Sequence, residues 1–78
     1  MTKSKYVIIS DYGIECPIVF CPIVDHSVVC YSRKVFSAGF CSRNEDGSVS
    51  VWGRSTSLNI GSRPEDVKII EEYLEKDI

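Results

Sequence analysis

The sequence is short of most of the groups on which catalysis and metal binding rely. Its 78 residues hold one histidine, one tryptophan and one methionine. The four cysteines, Cys16, Cys21, Cys30 and Cys41, include no C-x-x-C pair. With His26 as the sole imidazole, their spacing fits no common zinc site. No metal and no cofactor are therefore expected. A Gly-rich phosphate loop is also missing. Asp25, His26 and Ser27 stand side by side, but the members of a catalytic triad meet through folding, and neighbours in sequence seldom point at one another. A helix cap followed by a loop histidine is the plainer reading, and the expectation is a protein that is not an enzyme.

Long apolar runs are absent too. Tyr6-Val7-Ile8-Ile9 is broken by Ser10 and Asp11, too soon for a secretory signal or a membrane span. The polar face of the C-terminal segment is acidic, which anionic lipid repels, so no membrane partner is expected. A cytoplasmic protein follows, with reduced thiols that act mainly as small hydrophobes in the core. There is no surplus of positive charge either. Nine Lys and Arg stand against eleven Asp and Glu, a net charge of −2. Neutralising phosphates takes a clear excess of cations, so general nucleic-acid binding is not expected.

What is present is globular: 44% hydrophobic and 26% charged residues, enough for one domain over residues 1–78. A domain of this size hides only about 60% of the surface its unfolded chain exposes. Association between copies therefore becomes a reasonable expectation.

Lys5 to Ser10 is β-branched and aromatic and reads as a strand, with Asp11-Tyr12-Gly13 as a tight turn. Apolar alternation resumes at Ile14, but Pro17 lacks the donor that a central strand needs, which makes this an edge strand or one broken early. Residues 22–33 leave open a short helix through Val28, Val29 and Cys30, or a loop. Lys34 to Arg43 and Ser48 to Arg54 read as a hairpin around a four-residue loop, Asn44-Glu45-Asp46-Gly47. That loop sets Phe40 against Val51 and Gly39 against Trp52. One face then carries Phe36, Ala38, Phe40, Val49 and Val51 as core. Leu58 and Ile60 are expected to dip back toward that core.

Ser62 and Glu65 match a capping box, Pro64 suits a first turn, and Glu65 and Asp66 complement the helix dipole. Val67, Ile70, Tyr73 and Leu74 recur at helical spacing. The predicted fold is α+β: a small antiparallel sheet of three to four strands with one C-terminal amphipathic helix packed on it.

In that register the second hairpin face carries Ser37, Gly39, Cys41, Arg43, Ser48, Ser50, Trp52 and Arg54. A flat aromatic, fixed cations and small hydroxyls suit a nucleotide-like ligand, because indole stacks on a base and guanidinium grips phosphate. The candidate binding residues are Trp52, Arg54, Ser50, Ser37 and Arg43, with Arg63 added from the helix start. Two alternatives stay open. Trp52 could pack beneath a strand or a second subunit while the arginines pair with the acidic helix, or the face could be a hot spot for a protein partner.

Three segments carry a resemblance: Ser37-Ala38-Gly39-Phe40, Val51 to Leu58, and Ser62-Arg63-Pro64-Glu65-Asp66. In these the C-terminal half resembles a group of short accessory proteins of tailed bacteriophages. The N-terminal half, with most of the cysteines, shows no such likeness. The resemblance implies a phage origin, expression in the bacterial host cytoplasm and a non-structural accessory role. It further suggests a host-defence antagonist that sequesters a nucleotide-derived signalling molecule as a homo-oligomer. The alternatives are an inhibitor docking directly on a host defence protein, in the manner of an anti-CRISPR, and an accessory factor in DNA metabolism.

Overall fold

A computed structural model describes residues 3–76. Strand β1 (Ser4–Asp11) buries Tyr6, Val7, Ile8 and Ile9 in succession. A continuous apolar run of this kind belongs to a strand covered on both faces, and β1 does lie inside the sheet. Tyr12 and Gly13 both take positive φ (54° and 87°), the signature of a two-residue hairpin turn whose twist matches its strands. β2 (Ile14–Phe20) folds back along β1 as an edge strand. Ile14 closes the two-residue turn, so alternation leaves Pro17 opposite Ile8 at a non-hydrogen-bonded position. Its missing N–H therefore costs no ladder bond.

The chain then makes one helical turn, α1 (His26–Val29), whose N-cap Asp25 accepts from the Ser27 N–H at 2.9 Å. β3 (Val35–Arg43) pairs antiparallel with the other side of β1, and β4 (Val49–Trp52) extends the sheet to the order β2-β1-β3-β4. Arg54–Ser55 (β5) and Ile60–Gly61 (β6) form a small separate ladder before helix α2 (Asp66–Lys76). The fold is α+β, with an antiparallel four-stranded sheet and the C-terminal helix packed against it.

Both faces of this sheet are covered. Tyr6, Ile8, Cys41 and Val49 meet Ile70 of α2, with Val67, Ile69 and Leu74 around it. On the other face Val7, Ile9 and Ala38 are closed over by Val29 and Cys30 near α1 and by Leu58 and Ile60 from the β5–β6 segment. Leu58 and Ile60 thus pack inward as expected. Tyr73 does not join the helix's core stripe, since it is exposed.

The hairpin register differs from the sequence expectation by one residue. Asn44 N–H donates to Ser48 O at 2.7 Å and Gly47 N–H to Asn44 O at 2.9 Å. The loop therefore holds three residues, with Gly47 at φ 90° in the left-handed position that a three-residue hairpin requires. Phe40 then faces Trp52, and Cys41 faces Val51. A one-residue slip moves a whole strand's side chains to the other face. A bulge in the β1–β3 ladder, where Ser37 opposes Ile8 but Val35 opposes Ile9, sends Phe36 to the α2 side, away from Ala38.

The helix start also departs from the capping box. Glu65 does not close it; Asp66 Oδ2 accepts the Arg63 N–H at 2.9 Å while Asp66 N–H donates to Arg63 O at 3.0 Å. The buried carboxylate three residues after Arg63 makes the reciprocal bond in place of the exposed Glu65.

Candidate functional site

Trp52 lies on the sheet face opposite α2, beside Phe40. The two rings are near-parallel, 22° apart with centroids at 6.3 Å, an offset arrangement suited to aromatic pairs. Trp52 remains 41% exposed. Behind it the stack continues into the fold: His26 sits edge-on to Phe40 at 5.9 Å and edge-on to Phe20 at 5.5 Å. The buried imidazole is fixed by its Nε2–H, which donates to Gly39 O at 2.9 Å. On the outer side Lys3 Nζ stands 4.8 Å from the Phe40 ring centroid, within cation–π range.

The six residues singled out from the sequence are split among three places. Ser50 and Trp52 share one strand face by alternation, and Arg54 follows directly beyond Gly53. Ser50 Oγ accepts from Asn44 Nδ2 at 3.1 Å, and Arg54 Nη2 donates to Asn59 Oδ1 at 2.7 Å. Ser37 is fully buried on the α2 side, its hydroxyl without a hydrogen-bond partner among the described residues. Arg43 is also on the α2 side, at the rim of a groove of about 270 Å³. Cys41, expected on the outer face, is instead core on the α2 side.

Arg63 is committed to holding the fold together. Its guanidinium bonds Asp66 (Nε to Oδ1, 3.0 Å) and Glu15 of β2. Partial desolvation pulls its pKa down, but the bonds to Glu15 and Asp66 outweigh that and leave it above the ordinary value. The same Asp66 accepts the buried Tyr6 hydroxyl at 2.5 Å. Arg63 is thus one corner of a network that joins β1, β2 and α2.

The three segments that carry the resemblance converge on Gly39. A Cβ there would lie 2.6 Å from Trp52 O, 3.2 Å from Ser62 Cβ and 3.4 Å from Gly53 O. Ser62 N–H also donates to Gly53 O at 3.1 Å. Gly53, at φ 74°, lets β4 end and β5 turn away, and a Cβ on it would come within 2.9 Å of the Phe40 ring. The glycines of the pattern are explained by this close crossing of backbones.

Chemically the face offers stacking and cation contacts. Among the described residues, no group of three or more His, Cys, Asp or Glu side chains is placed to hold a metal ion, and no helix is long and apolar enough to cross a membrane. Phe40, His26 and Lys3 are not among the candidate binding residues read from the sequence. The signal that finds Phe40 is the three-residue reading of the loop, which brings it onto the Trp52 face. Comparison with protein-family models, curated proteins and solved structures returns no match.

Proposed function

We propose that this chain is a phage-encoded, non-enzymatic accessory protein that counteracts bacterial defence by binding and sequestering a nucleotide-derived signalling molecule. The observation that carries the reading is Trp52, partly exposed and already stacked on Phe40, with the Lys3 ammonium over the adjoining ring. A purine or pyrimidine base extends such a stack, at roughly 1–3 kcal/mol per base. Lys3 and Arg54 supply positive charge for an attached phosphate. The phage origin and anti-defence role rest on the resemblance of the three segments around Gly39.

Trp52 itself stays partly open to solvent, and one protomer covers one side of a flat ligand. A homo-oligomer in which a second copy closes over Trp52 completes the enclosure, and it also supports a core that is small for an isolated domain.

Thermal unfolding against a panel of cyclic nucleotides and ADP-ribose derivatives, beside light scattering on the size-exclusion peak, tests the reading. A ligand at about a hundredfold its Kd stabilises by about 2.7 kcal/mol, roughly 10–20 °C in Tm for a chain of this length. Trp52→Ala abolishes the shift. If no member of the panel raises Tm, nucleotide sequestration is abandoned.

A further inference from the structure

A second surface lies on the opposite side of the sheet. An open groove of about 270 Å³ runs between the second half of α2 and the end of the sheet, floored by Val19, Cys41, Val49, Ile70 and Leu74. It adjoins a second depression of about 310 Å³ walled by Asp46, Glu71 and Glu75, with Arg43 and Leu74 common to both. One side is apolar and the other anionic.

Two of the three carboxylates are held by the fold. Asp46 Oδ1 accepts the Ser48 N–H at 2.9 Å and the Ser48 hydroxyl at 2.6 Å. Bonds from the Ser48 hydroxyl and then its N–H keep the Asp46 carboxyl below the usual range. Glu71 Oε2 accepts the Val49 N–H at 2.9 Å, across from helix to strand. Each bond engages one carboxylate oxygen and leaves the other for a partner. Among the described residues, no ion pair within 4.0 Å links these three carboxylates to a cation, Arg43 included. Holding a charge in place before its partner arrives lowers the ordering cost of binding.

We propose that this groove docks a basic, amphipathic segment of a protein partner, an aliphatic side chain filling the apolar floor while a neighbouring Lys or Arg pairs with Asp46, Glu71 and Glu75. The volume suits one or two aliphatic side chains. The charge favours a basic partner for a chain of net −2, and complementarity of this kind sets specificity and on-rate. Among the described residues lining the two depressions, Arg43 is the one like charge an incoming cation meets. It sets the register, apolar residue inside and cation beyond. This surface is separate from the Trp52 face and stands independently of the ligand proposed there.

The test titrates the intact protein with three synthetic twelve-residue peptides, alternating Leu/Lys, Ser/Lys and Leu/Glu, and follows methyl and amide NMR shifts. Leu/Lys is expected to move Val49, Ile70 and Leu74 first, to bind at least about tenfold more tightly than Ser/Lys, as loss of one buried aliphatic side chain predicts, and to bind more tightly than Leu/Glu, whose carboxylates meet three like charges. Glu71→Gln and Glu75→Gln each weaken it about threefold, the scale of one exposed charge pair. Arg43→Glu strengthens it, and Trp52→Ala leaves it unchanged. Equal binding of Ser/Lys or Leu/Glu overturns the proposal, as do shifts centred on Trp52, weakening by Arg43→Glu, or concentration-dependent broadening of the groove methyls without peptide, which assigns the groove to a second copy.

Discussion

The Tyr6 hydroxyl donates to the Asp66 carboxylate at 2.5 Å across a separation of 60 residues, with both side chains at zero exposure. This bond ties the first strand to the first turn of the last helix. Tyr6→Phe keeps the ring in the core and removes one donor from a buried carboxylate, which costs about 1–3 kcal/mol. Urea unfolding at neutral pH measures it, and a double-mutant cycle with Asp66→Asn isolates the pair. Burial, and then the hydrogen bond to Asp66, hold the Tyr6 pKa far above its ordinary 10.0. Its contribution is therefore full below pH 10 and declines as alkali ionises tyrosine in the unfolded chain.

Gly39 and Trp52 set a second constraint. A methyl group at position 39 meets a backbone oxygen at 2.6 Å, and no rotamer change relieves a backbone contact. Gly39→Ala is expected to destabilise by about 1–3 kcal/mol and to shift the amide resonances of Gly53 and Ser62 together. A variant as stable as the parent would show that the crossing is not tight.

Much of the architecture was legible because local signals agreed with one another. Tyr6-Val7-Ile8-Ile9 announced a strand, Pro17 an edge, Tyr12-Gly13 a turn, and Val67, Ile70 and Leu74 a packed helix. The candidate site was less legible, since its geometry hung on one loop. Counting Asn44 as loop and not as strand displaced Trp52 from Phe40 and put Cys41 on the wrong face. The Phe36 bulge and the pairing of β5 with β6 depend on long-range packing, to which short-range alternation is blind. Arg63 looked like a phosphate ligand beside a helix start; only the fold brings Glu15 to it.

Cys41 makes the register measurable. Burial pushes its thiol up from 9.0 to about 11. A raised folded pKa means stability that is whole below pH 9 and lost between pH 9 and 11, as the unfolded thiol ionises first. The loss approaches about 3 kcal/mol at 1.36 kcal/mol per unit. The unfolding free energy of the parent is expected to fall by this amount relative to that of Cys41→Val as pH rises across that window. A thiol reagent is expected to label the exposed Cys21 quickly and Cys41 only on unfolding. Parallel pH profiles for the two proteins would place Cys41 outside the core.

Asp25 reports on the layer that covers the other face. Its Oδ1 accepts the Ser57 hydroxyl at 2.7 Å, the Ser27 N–H at 2.9 Å and the Ser27 hydroxyl at 2.8 Å. The Ser57 bond, followed by those from Ser27, lowers its pKa from 3.8 to about 2. A depressed folded pKa means a contribution present above pH 3.8 and lost as pH falls through about 2. Ser57→Ala removes the largest of these influences and the side-chain bond between the α1 cap and the β5–β6 segment. Carboxyl-carbon NMR is expected to show the Asp25 midpoint moving up toward 3.8, with new exchange broadening at Leu58 and Ile60. An unmoved midpoint would mean that Ser57 does not reach Asp25 in solution, leaving α1 and the β5–β6 segment joined by apolar packing alone.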